Sequence, residues 1–381
     1  MSEPGPTLCD ILPGVGALLG VPGAPDRFGL VAGIGPRRQV VVVLVDGLGL
    51  HLLPRLAPVA PFLAGVLAGS VGTLHPLKST FPSTTPTSLV SLGTGTAPGE
   101  HGVLGFTVRR PGTAETLTHV LWRDDPEPAR WQPVPTWFER LAAAGVPSAV
   151  VLPAAFEKGG LTSAAYRGAT FVPHPTADRG PASSVPLVLE ALDRGVPLVF
   201  AYTDLLDAAA HRYGIDSPEW LAAAARVDAY LRTLAGYVPP DGALLVTADH
   251  GGLDISAAGR VDLDANPVLA DAVEVVAGEP RVRYLHTRPG ADRDVAAAWS
   301  ATLGERAVVR LRDDAIAEGW FGPVRPGHEA RIGDVVVVCE GDTAILASAH
   351  EPPEVGELIG FHGGWSPAET GIPLIVVTPD G

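Results

Sequence analysis

The sequence predicts an α/β protein built on a mostly parallel β-sheet flanked by helices. Short runs of β-branched and other apolar residues recur along the chain and alternate with alanine-rich stretches of helical periodicity. Most of these runs end in polar residues, as strands do where they leave a buried sheet. The composition, with 46% hydrophobic and 18% charged residues in 381, is typical of a chain that folds around a large core.

The predicted strands are continuous apolar runs, typical of strands that are covered by helices on both faces. They lie at residues 40–45, 149–152, 198–202, 243–247 and 374–377. Residues 135–144 and 218–235 carry apolar side chains at helical spacing and are predicted to be helices that pack on the sheet.

The stretch from 265 to 348 has a different pattern. Strands are predicted at 282–286, 307–311, 334–339 and 343–347, around one helix at 292–303. This order is typical of a small α+β unit. We therefore predict a core of residues 1–264 and 349–381, interrupted by an inserted α+β subdomain of residues 265–348.

The charge and the termini limit the classes of partner. A net charge of -15 and a pI of about 5.1 repel nucleic-acid polymers and acidic membranes. A small phosphorylated substrate would need local positive charge from metal ions or helix N-termini. The N-terminal residues lack the basic region of a secretory leader, and no apolar run is long enough to span a membrane. The two cysteines, Cys9 and Cys339, are far apart and indicate no disulfide framework. We expect a cytoplasmic protein without a membrane partner, and the oligomeric state stays open.

Carboxylates and imidazoles accompany four of the five predicted strands. Asp46 and the pair Asp249–His250 directly follow strands, Asp207 comes a few residues after one, and His362 lies shortly before the last. Because ligands of an open α/β sheet bind beyond the carboxyl ends of its strands, we expect these side chains to lie at one edge.

Each of these motifs also has an ordinary structural explanation. Asp46 could form a turn or cap a helix. Asp207 and His211 share a helix face at i, i+4, which suits two ligands of one ion but also a surface pair. Asp249–His250 is more specific, because two donors followed by two glycines at a strand tip have no ready role in a core. His362 could be a hydrogen-bonded loop histidine.

Hydroxyl groups cluster at residues 78–91, KSTFPSTTPTSLVS, where a helix is predicted to begin. A helix N-terminus attracts anions, and a threonine there could act as a nucleophile. Helix capping alone would also explain these residues. Lys78 could add positive charge beside a phosphate, although a lysine before a helix is commonly just solvated.

Taken in order, the motifs resemble the alkaline phosphatase superfamily, and within it the type I phosphodiesterase and nucleotide pyrophosphatase family. The shared pattern is Asp46, Thr80-Phe81-Pro82, Asp207-x3-His211, Asp249-His250-Gly251 and His362-Gly363. The resemblance implies an alkaline phosphatase-like fold with two divalent metal ions, usually zinc. One ion would be bound by Asp207, His211 and His362, and the other by Asp46, Asp249, His250 and the Thr80 hydroxyl.

The resemblance also implies hydrolysis of a phosphodiester or pyrophosphate bond in a small phosphorylated substrate, for example a nucleotide. Thr80 would be the nucleophile and would form a phosphothreonine intermediate. Phe106 stands where the nucleotide pyrophosphatases of the family have an asparagine that touches a phosphoryl oxygen, so the substrate preference is open. Trp365 could line a leaving-group pocket or simply pack.

Other functions remain possible on the same residues. A phosphomonoesterase or a phosphonate hydrolase would use the same scaffold. A sulfatase is disfavoured because neither cysteine lies in a CxPxR-type motif, and a phosphomutase because no second large domain is evident. A non-catalytic metal-binding or phosphoryl-ligand-binding protein is the alternative from another class. We expect diesters or pyrophosphates to be preferred over monoesters, because no arginine adjoins the Thr80 motif.

Overall fold

The computed structural model describes residues 5–175 and 181–379. Its strands, in chain order, are β1 (Gln39–Val45), β2 (Thr73–Lys78), β3 (Thr107–Arg109), β4 (Thr116–Thr118), β5 (Ser148–Pro153), β6 (Thr170–His174), β7 (Leu198–Thr203), β8 (Gly242–Thr247), β9 (Leu253–Asp254), β10 (Arg260–Asp262), β11 (Val273–Glu279), β12 (Val282–Thr287), β13 (Ala307–Leu311), β14 (Val335–Cys339), β15 (Ala344–Leu346), β16 (Gly360–Phe361) and β17 (Gly371–Val377).

The α-helices, in chain order, are α1 (Ile11–Leu18), α2 (Leu30–Ile34), α3 (Leu53–Leu56), α4 (Pro61–Leu67), α5 (Thr85–Thr94), α6 (Pro98–His101), α7 (Pro128–Trp131), α8 (Trp137–Ala143), α9 (Gly160–Tyr166), α10 (Val185–Asp193), α11 (Leu205–Tyr213), α12 (Pro218–Tyr237), α13 (Pro267–Ala270), α14 (Asp292–Leu303), α15 (Arg312–Ala317), α16 (Pro353–Glu357) and α17 (Pro367–Thr370). Among the residues that the structure describes, no helix has the length and hydropathy needed to cross a membrane.

The central sheet has seven strands in the order β2-β17-β8-β1-β7-β5-β6. Only β17 runs antiparallel to its neighbours, β8 and β2. The predicted α/β class with a mostly parallel sheet is therefore confirmed. All five predicted strands are present, as β1, β5, β7, β8 and β17. The side chains of the middle strands are buried, which agrees with their continuous apolar sequences.

The two strands of this sheet that the sequence did not predict are its edges. β2 and β6 are partly exposed, and each contains a proline, Pro76 and Pro173. Prolines and exposed polar residues are tolerated at edges because one side of the strand needs no hydrogen-bonded neighbour. These strands therefore lack the apolar run by which the central ones are recognised.

The predicted covering helices are also present. The first, predicted at 135–144, is α8, and a capping box between Thr136 and Glu139 fixes its start. The second, predicted at 218–235, is α12, which begins where the Ser217 hydroxyl accepts a hydrogen bond from the Trp220 N–H.

A second sheet, of six antiparallel strands, has the order β13-β14-β12-β11-β3-β4. It includes the three strands predicted between residues 282 and 339. The strand β13 and the helix α14 have the predicted bounds. The strand predicted at 343–347 is β15, which pairs with β10 outside this sheet. Strand β11 was not predicted, because its Gly-Glu end followed by Pro280 suggests a turn. Strands β3 and β4 lie outside the predicted insertion, so the core contributes to this sheet. The boundaries 265 and 348 stay a prediction.

Candidate metal centre

The central strands bring the predicted donors to one edge of the sheet. Asp46 follows β1, and Asp249 and His250 follow its neighbour β8. The other neighbour, β7, leads into α11, which carries Asp207 in its first turn. Gly47 adopts a left-handed φ of 73°, and a Cβ atom there would lie 2.9 Å from the Asp207 Cβ. The turn after β1 therefore needs glycine to pack against α11.

Asp46, Asp249 and His250 form the first cluster, with donor atoms within 4.8 Å of one another. The His250 Nε2 atom lies 3.4 Å from Asp46 Oδ1 and 3.5 Å from Asp249 Oδ2. All three side chains are buried, and neither of these two oxygens accepts a hydrogen bond within the described part of the chain. Buried carboxylate oxygens without a hydrogen-bond donor are costly unless a cation satisfies them.

Asp207, His211 and His362 form the second cluster. Asp207 Oδ2 and His211 Nε2 are 3.0 Å apart on one face of α11. His362 follows β16, which pairs with β9 and thereby lies beside the loop after His250. The Nε2 atoms of His211 and His362 are 3.3 Å apart. The His250 and His362 rings stack with centroids 3.6 Å apart, so the two clusters adjoin.

The three histidines share one orientation. In each, Nδ1 faces a backbone carbonyl oxygen: His211 that of Gly360 at 2.7 Å, His250 that of Gly251 at 2.9 Å, and His362 that of Ser83 at 3.1 Å. Because a carbonyl only accepts, Nδ1 is the protonated nitrogen and Nε2 carries the free electron pair. The Nε2 atoms of His211 and His250 face carboxylates, and that of His362 faces His211, an arrangement typical of metal-binding histidines.

The pKa shifts reflect acidic groups packed together. Burial, followed by the negative charges of Asp249 and Asp207, raises the pKa of Asp46 well above its usual range. Burial opposes the charge on His211, but the Asp207 carboxylate outweighs it and raises the pKa of His211 to about 9. Burial and the neighbouring His250 lower the pKa of His362. The repulsion among the carboxylates around Asp46 would be relieved by cations.

The donor set fits divalent metal ions. Each cluster offers imidazole nitrogen and carboxylate oxygen, which suit a borderline-soft ion such as zinc. The unpaired oxygens of Asp46 and Asp249 and the Nε2 atoms face the places where ions would bind. The six predicted Asp and His ligands thus come together in two groups of three, divided as the resemblance implied.

Thr80 is not at these clusters. Its hydroxyl lies 3.2 Å from Ser88 Oγ and 3.5 Å from the carbonyl oxygen of Pro82. The threonine hydroxyl beside the first cluster is that of Thr85, whose Oγ1 is 3.1 Å from His250 Nε2 and 3.4 Å from Asp46 Oδ2. The geometry therefore places Thr85, and not the predicted Thr80, beside the first cluster.

The start of α5 explains why Thr85 lies beside the cluster. The helix begins at Thr85, after β2 and a bent segment of six residues, and Pro86 is in its first turn. Proline is favoured there because the first N–H groups of a helix have no partner within it. The signal that Pro86 marks the helix start was present in the sequence and would have selected Thr85. Thr80 lies five residues earlier and stabilises the segment instead.

Three further residues named from the sequence lie outside the two clusters. Lys78 is exposed on the edge strand β2. Phe106 is partly buried just before β3. Trp365 packs on Phe81 and Trp320, with ring centroids 5.5 and 4.7 Å away, and its Nε1 donates to Glu340. Packing is thus the observed role of Trp365.

Thr85 also borders an apolar cavity of about 270 Å³. Its wall includes Leu121, Trp122, Phe156, Tyr166 and Tyr202, and Arg123 adds a positive charge. The Tyr202 hydroxyl donates to Asp46 Oδ2 at 2.5 Å, so one side chain contacts both the cavity and the first cluster. The sequence did not single out Tyr202, because it is one of several apolar residues in β7.

The two clusters agree with the resemblance to the alkaline phosphatase superfamily that the sequence motifs carry. The chain belongs to the type I phosphodiesterase / nucleotide pyrophosphatase family, whose model matches residues 40–365. Membership indicates a hydrolase of phosphoric esters, and the family typically depends on two metal ions. A comparison with curated protein sequences gives no significant match.

Solved structures support the same assignment of the fold. Murine ectonucleotide pyrophosphatase / phosphodiesterase 5 aligns with a TM-score of 0.71 at 18% identity, covering 90% of this chain and 88% of that one. Phosphonoacetate hydrolase from Sinorhizobium meliloti 1021, in complex with phosphonoformate, aligns with a TM-score of 0.68 at 22% identity, covering 91% and 92%. An inactive threonine-to-alanine variant of the murine protein was solved in complex with AMP, and its TM-score is 0.70.

Proposed function

We propose that this protein is a two-metal hydrolase of phosphodiester or pyrophosphate bonds with Thr85 as its nucleophile. The observation that carries the proposal is the Thr85 hydroxyl, which lies within 3.4 Å of two side chains of one cluster at the N-terminus of a ten-residue helix. Nucleophile, ligand set and a helix N-terminus that favours anions therefore meet at one point.

The ligands are proposed in two groups, with zinc as the metal. Asp207, His211 and His362 would hold one ion, and Asp46, Asp249 and His250 the other, beside the Thr85 hydroxyl. When bound, the ions would supply Lewis-acid polarisation of the phosphoryl oxygens. The threonine-to-alanine change in the inactive murine relative is consistent with a threonine nucleophile in this fold.

The residues of the chain account for the remaining steps. Thr85 Oγ1 attacks phosphorus, the bond from phosphorus to the leaving oxygen breaks, and a phosphothreonine forms. Asp46 Oδ2, at 3.4 Å, is the acceptor in reach of the hydroxyl proton, because the electron pair of His250 Nε2 would be taken by the ion. The unpaired N–H groups at the start of α5 stabilise the charged phosphoryl oxygens. Water then restores the Thr85 hydroxyl and releases a phosphomonoester.

The apolar cavity beside Thr85 favours a substrate with an apolar or aromatic substituent. Its aromatic wall would bury such a group, while Arg123 gives one positive charge and not a set of charges for a dianion. A diester carries one negative charge and two substituents, so it suits this cavity better than a monoester. Nucleotides, which have an aromatic base, are included in this class.

A substrate panel tests the proposal. We expect kcat/KM for bis-p-nitrophenyl phosphate to exceed that for p-nitrophenyl phosphate at equal pH and zinc concentration, with nucleotides and phosphonoacetate assayed in parallel. The Phe106→Asn variant tests whether restoring the family's asparagine changes the ratio. A monoester preference of about tenfold would favour a phosphomonoesterase, and hydrolysis of phosphonoacetate alone a phosphonate hydrolase. A protein that binds zinc but hydrolyses none of these would be a non-catalytic binding protein.

The cytoplasmic location expected from the sequence is likewise a proposal. Cell fractionation with an antibody against the full chain would test it, and recovery of the protein in an extracellular or membrane fraction would overturn it.

A further inference from the structure

Glu279, the last residue of β11, brings the second sheet into contact with the metal centre. It is 5% exposed, and its Oε2 atom lies 3.9 Å from the Nδ1 atom of His362. Its Oε1 atom accepts no hydrogen bond from the residues described. A buried carboxyl group without full hydrogen bonding lowers stability, so its presence at this position calls for a physical reason.

Ion pairing within the second sheet does not supply that reason. Arg283 is the neighbouring cation, but its guanidinium donates to both carboxylate oxygens of Glu351, at 2.6 and 2.7 Å. Thr84, the residue before the proposed nucleophile, faces Glu279, and Glu369 adds a further negative charge nearby. Among the described residues, no arginine or lysine therefore forms a salt bridge with Glu279, although Arg283 and His211 act on its charge from a distance.

Glu279 lies on the side of His362 away from the proposed ion. The Nε2 atom of His362 faces His211, whereas its Nδ1 atom faces the Ser83 carbonyl oxygen at 3.1 Å and Glu279 beyond it. The Ser83 carbonyl oxygen accepts the Nδ1–H and orients the ring, and the Glu279 carboxyl group lies behind both groups and limits their movement.

The backbone after His362 is also shaped around Glu279. Gly363 adopts a φ of 121°, and a Cβ atom at this position would lie 2.7 Å from Glu279 Cδ. Two residues beyond Glu279, Arg281 forms a buried bidentate pair with Glu369, with both N–O distances 2.9 Å. Glu369 in turn accepts the Gly364 N–H at 2.8 Å. Contacts from Glu279 and Arg281 thus hold the loop after His362 at two points.

We propose that Glu279 is a positioning residue of the metal centre, which holds the His362 imidazole and the Gly363 turn so that the ion bound by Asp207, His211 and His362 is retained. The second sheet is then a structural part of that site. This inference rests on the metal centre of the proposed function, although not on the identity of the substrate.

The test compares Glu279→Gln with wild type and with Glu274→Gln. Glutamine keeps the shape of the side chain and removes its charge, and Glu274 is an exposed residue of the same strand that serves as a matched control. Zinc affinity is measured by competition with a chelator. Occupancy of each site is measured by anomalous scattering from crystals at buffered zinc concentrations, and thermal unfolding of the metal-free proteins reports on the fold.

We expect Glu279→Gln to weaken zinc binding about tenfold at the site containing His362, as for other partners that orient metal ligands. The Asp46 site, the metal-free melting temperature and the Glu274→Gln protein should stay at wild-type values. Equal affinity of the Glu279→Gln and wild-type proteins at both sites would overturn the proposal. So would an equal weakening of both sites together with a lower melting temperature, which would indicate a role in folding alone.

The proposed function and the role of Glu279 can fail separately. Wild-type protein that binds two zinc ions but hydrolyses no phosphoric ester would contradict the function, and the zinc affinities would still decide the role of Glu279. Conversely, an active enzyme whose zinc binding is indifferent to Glu279→Gln would keep the function and remove the inference.

Discussion

Alanine at Thr85 should lower activity, whereas alanine at Thr80 should lower stability and leave activity nearly unchanged. The Thr85 hydroxyl lies 3.1 Å from His250 Nε2, and the proposed chemistry has no other nucleophile. Thr85→Ala should lower kcat/KM by at least about a hundredfold, equivalent to about 2.7 kcal/mol of transition-state stabilisation. Thr85→Ser retains the hydroxyl and should keep measurable activity.

Thr80→Ala removes a different interaction. The Thr80 hydroxyl bonds within its own segment, to Ser88 at 3.2 Å, and is 8% exposed as a residue. Loss of one buried hydrogen bond should cost about 1 kcal/mol of unfolding free energy and leave kcat/KM within about threefold of wild type.

The assay is kcat/KM for bis-p-nitrophenyl phosphate, measured with urea unfolding on the same preparations and after the bound zinc has been quantified. The reasoning would be refuted if Thr80→Ala lost more activity than Thr85→Ala at equal zinc content. It would also be refuted if Thr85→Ala turned over like wild type.

Further predictions concern the buried groups and the cavity. Arg281→Ala leaves the Glu369 carboxylate buried and unpaired and should lower the unfolding free energy by about 3–5 kcal/mol, whereas Arg288→Ala breaks an exposed pair and should cost less than about 1 kcal/mol by the same urea titration. Burial lowers the pKa of His119 to about 4, so on acidification the unfolded chain is protonated first and stability falls from about pH 6.5 towards pH 4. Between pH 7 and 5, His119→Gln should therefore lose less stability than wild type, by on the order of 2 kcal/mol; an equal loss would contradict the assignment. Phe156→Ala should raise KM for the aromatic diester about fivefold with little change in kcat, and an unchanged KM would exclude the cavity as a substrate site.

The residues of the two clusters could be predicted because their positions follow from strand ends. Asp46, Asp249 and His250 come directly after buried apolar runs, and parallel strands of one sheet end at one edge. Asp207 and His211 share a helix face at a spacing of four residues. These are local rules that depend on few residues, so the sequence contains enough information to apply them.

The proposed nucleophile was harder to identify from the sequence because several hydroxyls lie close together. Thr80, Ser83, Thr84 and Thr85 all precede the middle of α5, and only the residue at which the helix begins decides which hydroxyl faces His250. Helix boundaries depend on capping and on tertiary contacts, and they are the least certain part of a sequence-based assignment. Giving more weight to Pro86 would have placed the boundary correctly.

Glu279 could not have been found from the sequence. It is separated from His362 by about 80 residues and lies on a strand whose end resembles a turn. Its position depends on the pairing of β11 with β12 and on the close approach of the loop at Gly363. Contacts of this kind arise from the packing of two sheets and leave no local pattern.

The measurement that tests the central claim most directly is the metal content of the purified protein, located by anomalous scattering at the zinc edge. The account predicts two ions per chain, one among Asp207, His211 and His362 and the other among Asp46, Asp249 and His250 beside the Thr85 hydroxyl. Removing them with a chelator should abolish phosphodiesterase activity, and added zinc should restore it. Protein that binds no ion at these side chains, with activity indifferent to chelator and zinc, would contradict the account.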